Sequence, residues 1–138
     1  NLATLSDELD ALDSEYRAGL SSCVAKEFVT SHTAFAYLAE RYNLHQVAIS
    51  GISPDTEPSP AELAKVADFA REHGVTHIFF ETLVSPRLSE TIANEVGAQT
   101  LVLNPLEGLN KEDLASGKNY LSVMRENLSN LRVALQCS

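Results

Sequence analysis

Residues 59–81 read SPAELAKVADFAREHGVTHIFFE, which is one complete helix followed by one buried strand. Ser59 and Glu62 are spaced as a capping box, and a proline fits the first helical turn between them. Gly74 stands where a helix of this register ends. The residues after it are apolar and rich in β-branched and aromatic types, as in a strand buried on both faces. The stretch therefore predicts a helix and a strand, over residues 60–72 and 76–81.

The same alternation extends over the rest of the chain. Apolar residues at steps of three or four predict further helices, and short apolar runs predict further strands. The other predicted strands are residues 26–30, 46–50 and 100–104. The other predicted helices are residues 2–20, 33–42, 86–96 and 121–135, with a loop at 105–117. Strands alternating with helices predict an α/β fold, a four-stranded parallel sheet with helices on both faces.

Composition limits the class of protein. The length of 138 residues suits one domain, and the net charge is −9. An acidic surface disfavours nucleic acid and anionic membranes, since both are bound through clusters of Lys and Arg. No apolar run approaches the roughly 20 residues of a transmembrane helix. The helical leucine spacing already begins at Leu2, so we expect a fragment cut within a helix, with any signal peptide lying upstream.

The two cysteines, Cys23 and Cys137, form no CxxC motif, which argues against a zinc ribbon or a redox pair. They are either a disulfide that joins the two ends of the chain or two free thiols. We favour the disulfide, because burial of a lone thiol is uncommon one residue from a chain end. A disulfide would place the protein in an oxidising compartment.

A candidate site follows from the strand ends. In open α/β sheets, ligands bind outside the carboxyl ends of the strands. His32 follows the first strand, Glu81 ends the third and Glu107 follows the fourth. Histidine with carboxylate suits zinc or manganese. The alternative is that His32 only caps the next helix and that the two glutamates are solvated.

Other chemistries have less support. The chain contains no GxSxG motif and no glycine-rich phosphate loop. A metal- or carboxylate-dependent enzyme that uses Glu81 and Glu107 at the same rim stays open as the second interpretation. The remaining histidines lie at a helix C-terminus or at strand starts on the opposite rim, which predicts structural or surface roles for His73, His45 and His77.

Several segments, in order, resemble one known family. Residues 28–42 read FVTSHTAFAYLAERY, which resembles the ligand-bearing segment of the zinc/manganese ABC-transporter solute-binding proteins. These are the cluster A-I proteins, also called TroA-like or ZnuA-like. Further segments that resemble the family are ISPDTEPSP at 52–60, IFFE at 78–81, LNPLEGL at 103–109 and NYLSVMRENL at 119–128. The resemblance covers nearly the whole chain.

The resemblance implies a place in a two-lobed protein. In this family one long helix joins two α/β lobes, and the metal is bound between them. The chain then resembles the C-terminal lobe, with residues 1–20 as the end of the linking helix and residues 21–138 as the lobe. The absent N-terminal lobe would supply two histidines. The isolated lobe would therefore bind metal weakly or stay metal-free.

The resemblance also implies ligands. His32 would be the third ligand, and because manganese-type relatives tend to have Glu there, His favours zinc over manganese. Many relatives carry Asp at the position of Asn104, but an amide is a poor zinc ligand. Residues 104–107 resemble the Asn-Pro-Leu-Glu pattern of the family's zinc-binding subgroup, which uses the Glu, so the resemblance implies Glu107 as the carboxylate. Glu81 would orient a ligand, or serve as an alternative ligand.

The function implied is capture of Zn²⁺, or less readily Mn²⁺, outside the cytoplasm and its delivery to an ABC permease. The protein would be periplasmic or a cell-surface lipoprotein. No catalytic turnover is expected.

Overall fold

The computed structural model describes residues 1–51 and 55–138. The helices are α1 (Leu2–Gly19), α2 (Ala36–Arg41), α3 (Pro60–Glu72), α4 (Arg87–Val96), α5 (Lys111–Ala115) and α6 (Tyr120–Ala134). The strands are β1 (Glu27–Thr30), β2 (His45–Ala48), β3 (His77–Phe80) and β4 (Gln99–Val102). None of the helices in these two ranges combines the length and the apolar character that crossing a membrane requires.

The strands form one parallel sheet in the order β2-β1-β3-β4. Each is four residues long, and β1 and β3 lie side by side at its centre. Consecutive strands are joined through helices, as a parallel sheet requires. The predicted fold class is confirmed.

Both faces of the sheet are covered, because neighbouring residues of a strand point to opposite sides. Phe28 and Phe79 lie in a core shared with α1, α2 and α6. Val29 and Ile78 lie in a second core shared with α3 and α4. All four are at most 1% exposed. The near-continuous apolar character of these strands is therefore explained by burial on both sides.

Four predicted segments differ most from the structure: the helix at 33–42, the strands at 46–50 and 100–104, and the loop at 105–117. Helix α2 starts at Ala36 instead of residue 33, because the preceding backbone bonds to the region of β2: the amide of Phe35 donates to Gln46 Oε1 at 3.3 Å. Strands β2 and β4 end two residues earlier than predicted. The predicted loop at 105–117 contains α5, whose first turn is capped by Asn110, which accepts from the amide of Asp113 at 2.8 Å.

A disulfide joins Cys23 to Cys137, 114 residues apart, as predicted. The two segments also pair as an antiparallel bridge. The amide of Val24 donates to the carbonyl of Gln136 at 3.2 Å. The disulfide and the β-bridge together join the segment after α1 to the segment after α6. Along the same interface the buried Tyr16 hydroxyl donates to the carbonyl of Met124 at 2.6 Å.

Candidate metal site

The site lies at the carboxyl ends of three neighbouring strands. His32 comes two residues after β1, and Glu81 directly follows β3. Because β1 and β3 are adjacent, the two side chains meet. Glu107 comes five residues after β4, the other neighbour of β3. The position predicted from the strand ends is therefore the one at which these side chains come together.

The backbone at His32 is fixed from β1 and β2. The Thr30 hydroxyl donates to the carbonyl of His32 at 2.8 Å. Gln46 Nε2 donates to the same carbonyl at 3.1 Å and to Thr30 Oγ1 at 2.7 Å. The His32 side chain is 4% exposed. The imidazole therefore has little freedom to move.

The Glu81 carboxylate contacts Nδ1 of His32. Its Oε1 lies 2.7 Å from His32 Nδ1, and its side chain is 3% exposed. The contact is close but not well aligned as a hydrogen bond. Within the described ranges, the buried atoms Ser31 Oγ, His32 Nδ1 and both carboxylate oxygens of Glu81 have no well-aligned hydrogen-bond partner. Such a cluster is costly unless a charge compensates it, and a bound cation would do so.

Burial is the main reason why the pKa of Glu81 is raised above its ordinary value. The charge of Glu107 raises it further, whereas His32 and the Ser31 hydroxyl lower it. A cation nearby would favour the ionised carboxylate. The electrostatics of this rim therefore suit a positively charged ligand.

Glu107 lies near Nε2, the other ring nitrogen of His32. Its Oε1 lies 4.0 Å from His32 Nε2, and its side chain is 67% exposed. Two ligands of one tetrahedral zinc at bonds of about 2.05 Å stand about 3.3 Å apart. An exposed glutamate can close that difference by a change of rotamer. Glu81 lies at the other ring nitrogen, Nδ1, so Nε2 and Glu107 are the two groups whose separation is compatible with one metal.

A small cavity separates the two glutamates, with a volume of about 10 Å³. That is about the space of one water-sized sphere. It is lined by residues of two segments, Glu81 to Val84 after β3 and Asn104, Pro105 and Glu107 after β4.

The remaining predicted positions behave differently. Asn104 is 5% exposed, and its Oδ1 accepts from the amide of Leu106 at 2.8 Å, so it serves the backbone. The rim segment after β2 includes residues 52–54, which lie outside the described residues. Across residues 1–51 and 55–138, no three side chains of His, Cys, Asp or Glu are grouped to hold a metal ion. His32 and Glu107 are two donors, fewer than the four of a tetrahedral zinc site.

The other histidines lie at the opposite rim, as expected from the strand starts. His73 stacks on Phe69 with ring centroids 4.1 Å apart, and its Nδ1 lies 3.0 Å from the Phe69 carbonyl. His45 meets the same ring edge-on at 5.9 Å. His77 Nδ1 lies 2.9 Å from Thr76 Oγ1.

Residues 1–134 match the family model described as "Zinc-uptake complex component A periplasmic", ZnuA. The chain belongs to the ZnuA family. Among curated members, it is 48% identical over 128 residues to the high-affinity zinc uptake system protein ZnuA of Bacillus subtilis. It is also 48% identical over 132 residues to the zinc-binding lipoprotein AdcA of Streptococcus pneumoniae.

The chain spans only part of these ZnuA-family relatives. The matches cover 93% and 96% of this chain but 40% and 26% of the Bacillus and Streptococcus proteins. The chain also spans only part of the solved structures that it matches. The Zn(II)-bound ZnuA-like domain of S. pneumoniae AdcA matches with TM-score 0.78 and 47% identity, over 96% of this chain and 50% of that one.

The laminin-binding protein Lmb of Streptococcus agalactiae, described as bifunctional with adhesin and metal transporting activity, matches with TM-score 0.87 and 41% identity. The match covers 96% of this chain and 50% of that one. The fold described above is therefore that of about half of a solved ZnuA-family chain.

One residue near the site was missed from the sequence. Asn127 lies in α6, is 2% exposed and bonds the backbone of Asn104 through both its side-chain atoms. A signal existed, because this polar residue stands within the apolar stripe of the last helix between Met124 and Leu131. A buried polar side chain in such a stripe needs a partner.

Proposed function

We propose that this chain is the C-terminal metal-binding lobe of an extracytoplasmic solute-binding protein that captures Zn²⁺ for an ABC permease. The observation that carries the proposal is the arrangement around one imidazole. Glu81 holds Nδ1 of His32 at 2.7 Å, while Nε2 faces the exposed carboxylate of Glu107 at 4.0 Å. This leaves one ring nitrogen and one exposed carboxylate 4.0 Å apart at the rim of the sheet.

The proposed domain organisation explains why the site is half complete. Structural and transport zinc sites are commonly four-coordinate, and His32 with Glu107 supplies two ligands. The relatives are longer than this chain, which leaves room for a second lobe. We assign residues 1–20 to the end of a linking helix and residues 21–138 to the lobe. The two missing ligands then come from an N-terminal lobe that closes over the rim.

Zinc is preferred over manganese because of the donor set. An imidazole nitrogen with one carboxylate suits a borderline cation, whereas manganese favours sites dominated by oxygen. The names of the zinc-uptake and zinc-binding relatives support the same choice. Their periplasmic and lipoprotein descriptions, together with the disulfide, support a location outside the cytoplasm.

An enzyme with a carboxylate pair at this rim is the weaker alternative. A two-carboxylate mechanism needs both groups to reach the substrate. Glu81 is 3% exposed and lies behind His32, so its carboxylate is turned away from solvent. We therefore assign binding without catalytic turnover, with the metal ion and the permease as partners.

Zinc titration of the full-length protein tests the proposal. We expect His32→Ala and Glu107→Ala each to weaken zinc binding strongly, because each removes a ligand. The matched control is His73→Ala, which removes a histidine at the opposite rim and should leave affinity unchanged. Unchanged affinity in both ligand variants would show that zinc binds elsewhere. Hydrolysis or transfer of a substrate by the purified wild-type protein would favour the enzyme instead.

A further inference from the structure

The buried Asn127 side chain hydrogen-bonds the backbone just after β4. Its Nδ2 donates to the carbonyl of Asn104 at 2.7 Å, and its Oδ1 accepts from the amide of Asn104 at 2.9 Å. These two bonds satisfy both main-chain groups of one residue, as an adjacent strand would. Asn127 is 2% exposed and belongs to α6, which packs against α1. Asn104 is therefore anchored to a rigid element.

The Asn104 side chain in turn fixes the backbone of the turn that follows. Its Oδ1 accepts from the amide of Leu106 at 2.8 Å, which closes an Asx turn across Pro105. Leu106 has a φ of 63°, in the left-handed region that residues with a Cβ seldom adopt. Such a conformation persists only where its surroundings enforce it. The Asn104 side chain contributes to that enforcement by bonding the Leu106 amide, and Pro105 between them has its own φ fixed by its ring.

Glu107 is the next residue after this strained position. Its side chain is 67% exposed, so its reach towards His32 depends on where its backbone is placed. The direction of the chain at Glu107 is set by the left-handed turn at Leu106. A different conformation there would swing the carboxylate away from His32 Nε2.

We propose that Asn127 and Asn104 are positioning residues for the zinc ligand Glu107. Asn127 fixes the backbone of Asn104, and the Asn104 side chain holds Leu106 in the conformation that directs Glu107 towards His32. This rests on the proposed function, because it takes Glu107 as a ligand. It also gives the amide at position 104 a role that requires no direct metal contact.

Asn130 provides a matched control on the same helix. Its Nδ2 donates to the carbonyl of Val102 at 2.8 Å, so it also bonds α6 to the backbone of β4. It does so within the strand, two residues before Asn104. Loss of this bond should weaken the packing of α6 on the sheet without changing the conformation of the Asn104–Leu106 turn.

Two readouts on the full-length protein separate positioning from general stability. We expect Asn127→Ala and Asn104→Ala to weaken zinc binding by about 10- to 100-fold, measured by competition with a chromophoric chelator. In metal-free protein we expect hydrogen exchange of the Leu106 amide to become faster in both variants. Asn130→Ala should lower the unfolding temperature while both readouts stay at wild-type values.

A conservative variant completes the test. Asn104→Asp keeps the oxygen that accepts from Leu106, so amide protection should be restored although the side chain is no longer an amide. If Asn127→Ala does not fold, Asn104→Ala addresses the same turn from the loop side. Wild-type zinc affinity in Asn104→Ala, with Glu107→Ala weakened, would overturn the positioning role and leave the proposed function intact. Wild-type affinity in Glu107→Ala would instead overturn the proposed function.

Discussion

His32 Nδ1 lies 2.7 Å from Glu81 Oε1, and neither side chain is more than 4% exposed. A neutral imidazole that uses Nδ1 towards a carboxylate presents the lone pair of Nε2 on its other side. That side faces Glu107. In the metal site that we propose, this buried pair selects which nitrogen is offered to the metal, and it holds the ring in place for binding.

Replacing Glu81 by alanine should damage both stability and zinc binding. The change removes the carboxylate that lies 2.7 Å from the buried His32 Nδ1, and losing such a contact to a buried polar atom costs about 1–3 kcal/mol of unfolding free energy. It also frees the ring to turn, and zinc affinity should fall by about 10- to 100-fold. Urea unfolding and zinc titration of the full-length protein measure the two effects.

Glu81→Gln is the matched control, because its side-chain oxygen can still accept from Nδ1. We expect it to retain more zinc affinity than Glu81→Ala. If Glu81→Ala abolishes zinc binding as fully as His32→Ala does, Glu81 is itself a ligand, and our assignment of Glu107 needs revision.

The fold was largely predictable because each local signal agreed with the global arrangement. The capping box at Ser59 and Glu62 forms as expected, with both hydrogen bonds present, and α3 has the predicted bounds. The sheet followed from the alternation of elements. The rim site followed in turn, since parallel strands bring their carboxyl ends together and both His32 and Glu81 stand at such ends.

What sequence alone did not show depends on contacts between distant residues. The hydrogen bonds between the Asn127 side chain and the Asn104 backbone join positions 23 residues apart. No local pattern specifies which backbone groups a buried amide side chain will bond. The predicted start of α2 is wrong for the same reason, because the distant Gln46 side chain accepts a hydrogen bond from the amide of Phe35.

The disulfide should contribute strongly to stability but not to the site. The bond between Cys23 and Cys137 closes a loop of 114 residues, and the chain-entropy model gives about 4–5 kcal/mol for such a length. Non-reducing mass spectrometry should show a mass two hydrogens below that of the reduced protein. Replacing both cysteines by serine should lower the unfolding free energy by about 2–5 kcal/mol.

Zinc affinity serves as the control for this change. The bridge lies before the start of β1, at the other end of the strands from the site, so the doubly substituted protein should bind zinc as the wild type does. Two free thiols in protein handled in air would contradict the pairing.

Asp13 should make stability depend on pH in acid. Its carboxylate accepts from Arg41 Nε at 2.8 Å, the Tyr42 hydroxyl at 2.8 Å and Arg17 Nε at 2.9 Å. These bonds, that of Arg41 first, hold the pKa of Asp13 well below its ordinary value of 3.8. A lowered pKa in the folded state stabilises the protein above the unfolded pKa, and this stabilisation is lost as the pH falls from that value towards the folded pKa.

Asp13→Asn should therefore reduce stability at neutral pH and flatten the decline below pH 4, measured as urea midpoints across the acid range. Asp7→Asn, at an exposed position of the same helix, is the matched control and should leave the profile unchanged. A profile for Asp13→Asn that is parallel to the wild type at every pH would show that Asp13 titrates normally.

The apolar stripe of α1 extends beyond the part that this lobe covers. Leu12 and Tyr16 are 4% and 0% exposed, whereas Leu2, Leu5 and Leu9 are 83%, 47% and 41% exposed on the same helix. In a linking helix, the leucines at its start would pack against the second lobe. Leu5→Ala should then change the stability of this 138-residue chain by no more than about 0.5 kcal/mol, but destabilise the full-length protein by about 2 kcal/mol or more.

Leu12→Ala is the control, because Leu12 lies in the core of this lobe. It should cost about 2–5 kcal/mol in either length of protein. Denaturant unfolding of both lengths, with each variant compared with its own parent, measures the difference. If Leu5→Ala has the same small effect in both, the start of α1 faces solvent in the full-length protein, and the assignment of residues 1–20 to a linking helix is wrong.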